Sequence, residues 1–314
     1  MLINLKNNKR ILPLAIIGAG PSGITAAIYA QRANIKPIIF TNEIVCGKIA
    51  KTLLIENYPG FKSTTGAKFC KELQEQIEFL KISVIYQKVI NLAKTAKGLF
   101  IINTKTEKFY FEKVIIATGT KEKQLPVKGI KEFHGRGVSY CSSCDGYFFK
   151  DLNIAVIGGG NAAVEESKIL AQIGKKIIII NRDQKLLAES MLISQIEKMS
   201  NVQIYYNTIL LEAQGKQNLE KLFLKNVVTQ QKIELKVDGL FIYIGAIPNV
   251  DFLDPEWSIM DDNKYIIVNN HFETNITNLY AIGDVVSGYV QQYTTAISSA
   301  TFALKNIIER GFLH

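Results

Sequence analysis

Cys141 and Cys144, two thiols separated by two residues and followed at once by Asp145, are the side chains in this sequence best suited to chemistry. Thiols at that spacing close into a disulfide without long-range folding, and each can resolve a mixed disulfide formed by the other. Shortly after them the apolar run Ile154-Ala-Val-Ile157 enters Gly158-Gly-Gly160-Asn161-Ala162-Ala163, a Gly-rich turn that opens a helix. Such a turn offers backbone N–H groups and the positive end of a helix to a pyrophosphate. A second fingerprint of the same kind, Gly18-x-Gly20-x-x-Gly23, lies far upstream. Together these segments predict a redox disulfide within reach of a cofactor that supplies electrons.

The elements that must position these groups follow from the apolar pattern. Residues 12–17 read as a buried parallel-type strand, with Pro13 tolerable near its start. A helix through residues 24–30 and a strand at 37–40 complete a βαβ unit, in which Glu43 is the nearest acid for ribose hydroxyls. The glycine loop taken alone would also suit a plain tight turn. Residues 56–61 are too rich in turn formers for a helix. A helix over 65–80 follows, with Phe69, Leu73, Ile77 and Leu80 on one face and Cys70 as inert packing. The strand 114–118 ends at Gly119, and 121–126, charged and then proline, reads as a hinge.

The second βαβ unit has its second strand at 176–180, with strands continuing through Ile242 and a returning hinge at 245–249. A strand at 278–282 leads to Gly283-Asp284, and a helix at 293–310 stops at Gly311. The second domain is therefore inserted in the first. The fold class predicted is α/β, with residues 1–121 and 248–314 flanking 122–247.

Size and composition exclude several classes. A chain of 314 residues suits two domains, and 47% hydrophobic with 21% charged residues describes an ordinary globular protein. The net charge of +9 comes from scattered lysines rather than a basic run with interleaved aromatics, so nucleic acid is not the expected partner. The basic balance leaves two readings open, a face that docks an acidic small redox protein or a merely solvated surface. Four cysteines are too few for a disulfide scaffold and suit a reducing cytoplasm. Three histidines, none flanking a cysteine pair, point to no metal site. Residues 6–17 resemble a signal peptide but run straight into the glycine loop, and no stretch reaches the roughly 18 apolar residues of a membrane span. A cytoplasmic protein without membrane contact is expected.

The motifs in order resemble the low-molecular-weight thioredoxin reductases of the pyridine nucleotide-disulfide group. The matching pieces are Gly18-Ala-Gly-Pro-Ser-Gly23, Glu56-Asn-Tyr-Pro-Gly-Phe61, Ala117-Thr-Gly119, Gly135-Arg-Gly-Val138, Cys141-Ser-Ser-Cys144-Asp145-Gly, Gly158-Gly-Gly-Asn-Ala-Ala163 with Val164-Glu-Glu, Gly245-x-x-Pro-Asn249 and Gly283-Asp-Val285. The resemblance implies two Rossmann-like, three-layer ββα domains in a homodimer, FAD in the split domain, NADPH or NADH in the inserted one, and rotation about both hinges. By similarity Cys144 faces the flavin, Cys141 attacks the disulfide of thioredoxin or a thioredoxin-like protein, and Asp145 protonates the departing thiolate. Read from the residues, Asp145 could equally be a helix N-cap. On the FAD side the pattern selects Gly18, Gly20, Pro21, Ser22, Gly23, Glu43, Gly47, Lys48, Asn57, Val89, Ala117, Thr118, Gly119, Gly283, Asp284, Gln291 and Gln292. On the nucleotide side it selects Gly158, Gly160, Asn161, Ala162, Arg182, Lys185 and Gly245.

Departures from that pattern gather at the cofactors. The family's His-Arg-Arg-x-x-x-Arg clamp for a 2′-phosphate is here Asn181-Arg182-Asp183-Gln-Lys185-Leu-Leu187. A carboxylate in that place repels phosphate, so either NADH is expected to serve as well as NADPH or better, or the nucleotide site is poorly used. The family's Gly-Gly-Gln-Leu is Cys46-Gly47-Lys48-Ile49, and its Arg-Gln pair is Gln291-Gln292. Lys48 either stabilises the reduced flavin or swings into solvent, with solvent the expectation, and Cys46 is expected to be a packed free cysteine. Two rival readings follow: feeding by ferredoxin or flavodoxin, and a flavin-binding redox sensor without turnover. Intact Cys141, Cys144 and Asp145 argue against the sensor.

Overall fold

The apolar run Ile11–Ile17 forms β1, buried on both faces from Leu14 onward. The computed structural model describes residues 11–42, 45–52 and 55–312. They divide into two units, Met1–Lys121 with Ile247–His314, and Glu122–Ala246.

In the first unit β1 leads through the glycine loop to α1 (Pro21–Arg32) and β2 (Pro37–Phe40), then a 3₁₀ turn (Gly47–Lys51) and α2 (Gly66–Phe79). Thr65 caps α2 by accepting from Lys68 N–H. Strands β3 (Ser83–Ile85), β4 (Val89–Lys94), β5 (Phe100–Thr104), β6 (Lys108–Ile116) and β7 (Thr120–Glu122) follow.

The second unit comprises β8 (Val138–Ser139), α3 (Ser142–Asp145), β9 (Asn153–Ile157), α4 (Asn161–Ala171), β10 (Lys176–Ile180), α5 (Ser190–Ile196), β11 (Val202–Tyr205), β12 (Thr208–Gly215), β13 (Leu219–Asn226), β14 (Lys232–Lys236) and β15 (Gly239–Ile242). Its central sheet, in the order β11-β10-β9-β15-β8, is parallel throughout, and β12-β13-β14 form an antiparallel sheet. Burial on both faces explains why Ile177–Ile180 is unbroken isoleucine rather than alternating. Where the sequence predicts only strands between 180 and 242, the structure has α5. Leu192 and Ile196, one helical turn apart, bury its inner face.

The chain returns by β16 (Ala246–Pro248) and ends with β17 (Leu279–Ala281) and α6 (Tyr293–Arg310). In the first unit β3, β2, β1, β6 and β17 are mutually parallel. One edge of β6 is shared: its first half pairs with β5, and Val114–Ile116 pairs with β17. Small buried residues, Ala26, Ala27 and Ala30 on α1 with Ala300 and Ala303 on α6, let these two helices pack closely. Among the described residues no helix is long and apolar enough to cross a membrane.

The first glycine loop is sterically closed on its inner side. Gly18 has φ +114°, and a Cβ built on Gly23 would lie 2.0 Å from the Gly18 carbonyl oxygen. Gly23→Ala is expected to destabilise by about 1–3 kcal/mol, as overpacking does. That corresponds to a melting temperature roughly 3–10 °C lower for a unit of this size. Differential scanning calorimetry checks it, and an unchanged transition would refute it.

Candidate active site

Ser139, at the end of β8, organises the cysteine pair. Its Oγ accepts from Cys141 N–H at 3.0 Å and donates to Asp145 Oδ2 at 2.6 Å. Cys141 caps α3, its Sγ accepting from Cys144 N–H at 3.2 Å, and Ser143 Oγ lies 3.2 Å from the same sulfur. The structure joins Cys141 and Cys144 as a disulfide with Cα atoms 5.3 Å apart. Cys144 is exposed and Cys141 half-buried. After reduction, an N–H and a hydroxyl aimed at Cys141 Sγ favour its thiolate, the nucleophilic form.

Asp145 occupies the N-cap of the 3₁₀ turn Gly146–Phe149, yet its side chain receives no cap hydrogen bond. Its carboxylate is engaged by Ser139 instead, so the helix-cap reading does not hold.

Ser142 engages a different set of partners. Its N–H donates to the Tyr243 hydroxyl at 3.0 Å, and its Oγ is hydrogen-bonded to the Glu166 carboxyl group from α4. Burial first, and the neighbouring Glu165 charge second, push Glu166 up to about 7. Burial and then Glu166 hold the Tyr243 phenol well above its ordinary value. The sequence reading gave Ser139, Glu166 and Tyr243 no role. Glu166 sits in the quoted Val164-Glu-Glu run, but its partner is visible only once α4 and α3 are placed.

Two dinucleotide-type cradles accompany the cysteines, one in each unit. Gly20 and Gly160 are the N-cap residues of α1 and α4, neither helix has a side-chain cap, and a Cβ at either glycine would meet nothing within 4 Å. Both glycines thus open onto unfilled space at the start of a helix, the arrangement a pyrophosphate requires.

Around the first cradle the structure gathers most of the predicted residues. Gly47 lies beside Gly20, 3.6 Å from a Cβ built on it to the Gly20 Cα. Ser22 abuts Gly283, where the 3₁₀ turn Gly283–Val285 begins. Asp284 is held above the ordinary carboxylate range by burial, with the Lys48 charge opposing. Lys48 is exposed, and its ammonium donates to Thr120 Oγ1 at 2.6 Å. Asn57 donates to Gln292 Oε1 at 3.2 Å, and Gln292 caps α6 through a reciprocal pair with Thr295. Gln291 reaches the Asp284 carbonyl at 3.4 Å. Beyond Ala117, Thr118 Oγ1 donates to Asn249 O at 2.7 Å and Asn249 N–H donates to Gly119 O at 3.0 Å. Val89 opens β4 with its side chain in the core, and Glu43 lies outside the described residues.

In the second cradle Asn161 exchanges two hydrogen bonds with Glu189, 3.2 and 2.8 Å. The buried Asn181 donates to Asp183 O at 3.1 Å and Lys185 O at 2.8 Å, folding the loop after β10. Leu187 N–H closes that loop onto Gly159 O at 2.7 Å. Arg182 and Lys185 are exposed at its rim, and Asp183 Oδ2 sits 3.6 Å from Arg182 Nε. Gly245 is exposed with φ +97°.

The family profile described as pyridine nucleotide-disulphide oxidoreductase matches residues 12–300. The chain belongs to this family. Thioredoxin reductase of Ureaplasma parvum is 34% identical, covering 94% of this chain and 96% of its own. The crystal structure of Lactococcus lactis thioredoxin reductase superposes with a TM-score of 0.92 at 32% identity, covering 95% and 98% of the two chains. A ferredoxin-flavin thioredoxin reductase from Clostridium acetobutylicum matches at 30% identity and a TM-score of 0.52, covering 95% and 97%. The oxidoreductase thus resembles the low-molecular-weight thioredoxin reductases over nearly its whole length, and its two units are Rossmann-like. The family implies a flavin and a nicotinamide cofactor, and the two open cradles fit such groups.

One pair was not foreseen. Cys46 and Cys70, read from the sequence as separate packed thiols, are brought together as a second disulfide with Cα atoms 5.8 Å apart.

Proposed function

We propose that the chain is an FAD-dependent thioredoxin-disulfide reductase, drawing electrons from NADPH or NADH and delivering them through Cys141 and Cys144 to a thioredoxin-like protein. The observation that carries this reading is the Cys141–Cys144 pair set between Ser139, Asp145 and the Glu166–Ser142–Tyr243 network, in a chain with two open pyrophosphate cradles. Bound FAD would supply the couple that accepts hydride from the nicotinamide and passes an electron pair to the disulfide. Gly18, Gly20, Pro21, Ser22 and Gly23 would hold its pyrophosphate and Asp284 its ribityl chain, while Gly158, Gly160, Asn161 and Ala162 would hold the donor.

In the dithiol form the Cys141 thiolate attacks a sulfur of the partner disulfide, and a mixed disulfide forms as the partner thiolate leaves and takes a proton. Asp145, whose carboxyl is positioned by Ser139, is the group placed to give that proton. The Cys144 thiolate then attacks Cys141 Sγ, which reforms the internal disulfide and releases the second partner thiol. The working unit is a homodimer in the cytoplasm.

The donor is the open part of the reading. Asp183 beside Arg182 weakens the one remaining guanidinium of the phosphate clamp. NADH is therefore expected to match or exceed NADPH in kcat/KM, and Asp183→Arg to raise the NADPH value about tenfold by restoring a bidentate phosphate partner. Steady-state kinetics with both donors would test this, and a strong wild-type preference for NADPH would overturn it. A second reading, feeding by ferredoxin or flavodoxin, draws on the same weakened clamp and on the ferredoxin-linked relative. Anaerobic bleaching of the yellow protein separates the two. Bleaching by a nicotinamide donor supports the first reading, and bleaching only by reduced ferredoxin or flavodoxin supports the second. A protein that refuses FAD on reconstitution refutes both.

A further inference from the structure

Cys46 and Cys70 lie in the first unit, where the proposed reaction gives them no part. Cys46 is completely buried and Cys70 is 5% exposed. Cys46 adopts φ +95°, a left-handed conformation that side-chain-bearing residues rarely take, directly before Gly47 and Lys48. Its N–H donates to Ala19 O at 2.7 Å, tying it to the glycine loop between β1 and α1. Cys70 sits one turn into α2, whose start already meets the same segment through Gly66 N–H to Thr52 O at 2.8 Å.

The surroundings suit both oxidation states of the pair. With the bond closed, α2 is covalently joined to the turn that carries Gly47 and Lys48. With it open, each thiol has a carbonyl to donate to: Cys70 O for Cys46 and Val45 O for Cys70, both at 3.6 Å.

We propose that Cys46 and Cys70 form a second dithiol–disulfide site, separate from Cys141–Cys144, whose closure locks the 46–51 turn between α2 and the glycine loop. The oxidant is a small peroxide. One thiol becomes a sulfenic acid as the first water leaves, and the other attacks it, forming the S–S bond and releasing a second water. Two thiols are oxidised and one peroxide is reduced to two waters. A small dithiol reverses the closure by exchange. Because both sulfurs are buried, reaction requires the turn to open, so closure is slow beside that of the exposed Cys144.

The test uses the full chain carrying Cys141→Ser and Cys144→Ser, in which Cys46 and Cys70 are the only thiols left. After hydrogen peroxide, denaturation and alkylation, intact mass is expected to show no label, and after dithiothreitol two labels. The oxidised form should melt about 5 °C or more above the reduced form. Adding Cys46→Gly, which suits the left-handed backbone without strain, should abolish that difference while the protein still folds. Two labels after peroxide, or identical melting in both states, would overturn the proposal. Neither readout depends on flavin binding or turnover.

Discussion

Replacing Cys144 with serine is expected to reduce thioredoxin reductase activity by about three orders of magnitude or more, because the mixed disulfide on Cys141 loses the thiol that resolves it. Cys141→Ser should do equal damage for the complementary reason: the sulfur that accepts Cys144 N–H and faces Ser143 is the one favoured as nucleophile. The two act as a unit, so the double variant should be no worse than either single one. The measurement is insulin-coupled or direct thioredoxin reduction by each purified variant, alongside its visible flavin spectrum. Activity within tenfold of wild type in either single variant would remove the CxxC pair from the reaction. On the proposed function, flavin content should not change, since no residue proposed to hold FAD is altered.

The second large effect concerns the carboxyl group beneath the CxxC turn. Glu166 is held at about 7 by burial, against an ordinary value of 4.5. In the window between those values the unfolded chain releases a proton that the folded chain keeps. Stability therefore falls as pH rises from about 4.5 to about 7 and levels off above. The gap corresponds to about 3 kcal/mol, an order-of-magnitude figure. Glu166→Gln mimics the protonated form and keeps a partner for Ser142 Oγ, so it should match wild type near pH 4.5 and be more stable by up to about 3 kcal/mol at pH 8. Denaturant titrations at the two pH values decide it. A variant no more stable than wild type at pH 8 would mean the carboxylate is better solvated than its position implies.

Much of the fold was legible because its signals are local. Continuous apolar runs ending in glycine turns marked β1, β9 and their helices, and Gly311 closed α6 where the pattern stopped. The oxidoreductase's CxxC pair was legible for the same reason, since three residues of sequence separation carry the geometry. What escaped depends on tertiary placement. Cys70 lies twenty-four positions after Cys46, beyond the start of α2, and no spacing rule links a thiol in a turn to one on a helix. Ser142 lies between the cysteines, but its bonds to Glu166 and Tyr243 join α3 to α4 and to the segment after β15, which only the parallel sheet brings together. The helix α5 was hidden by its shortness, although Leu192 and Ile196 have helical spacing.

The loop after β10 takes its shape from beneath. The buried amide of Asn181 grips two carbonyls of that loop, and Leu187 fastens its far end to Gly159, while Arg182 and Lys185 stand outward and Asp183 needs only its main chain for the grip. Scaffold and lettering are thus separate: outward side chains can be exchanged without refolding the turn that displays them. On the proposed function, choice of electron source becomes an easily rewritten trait, open to a few substitutions at 182, 183 and 185, whereas a change at Asn181 would unmake the display itself.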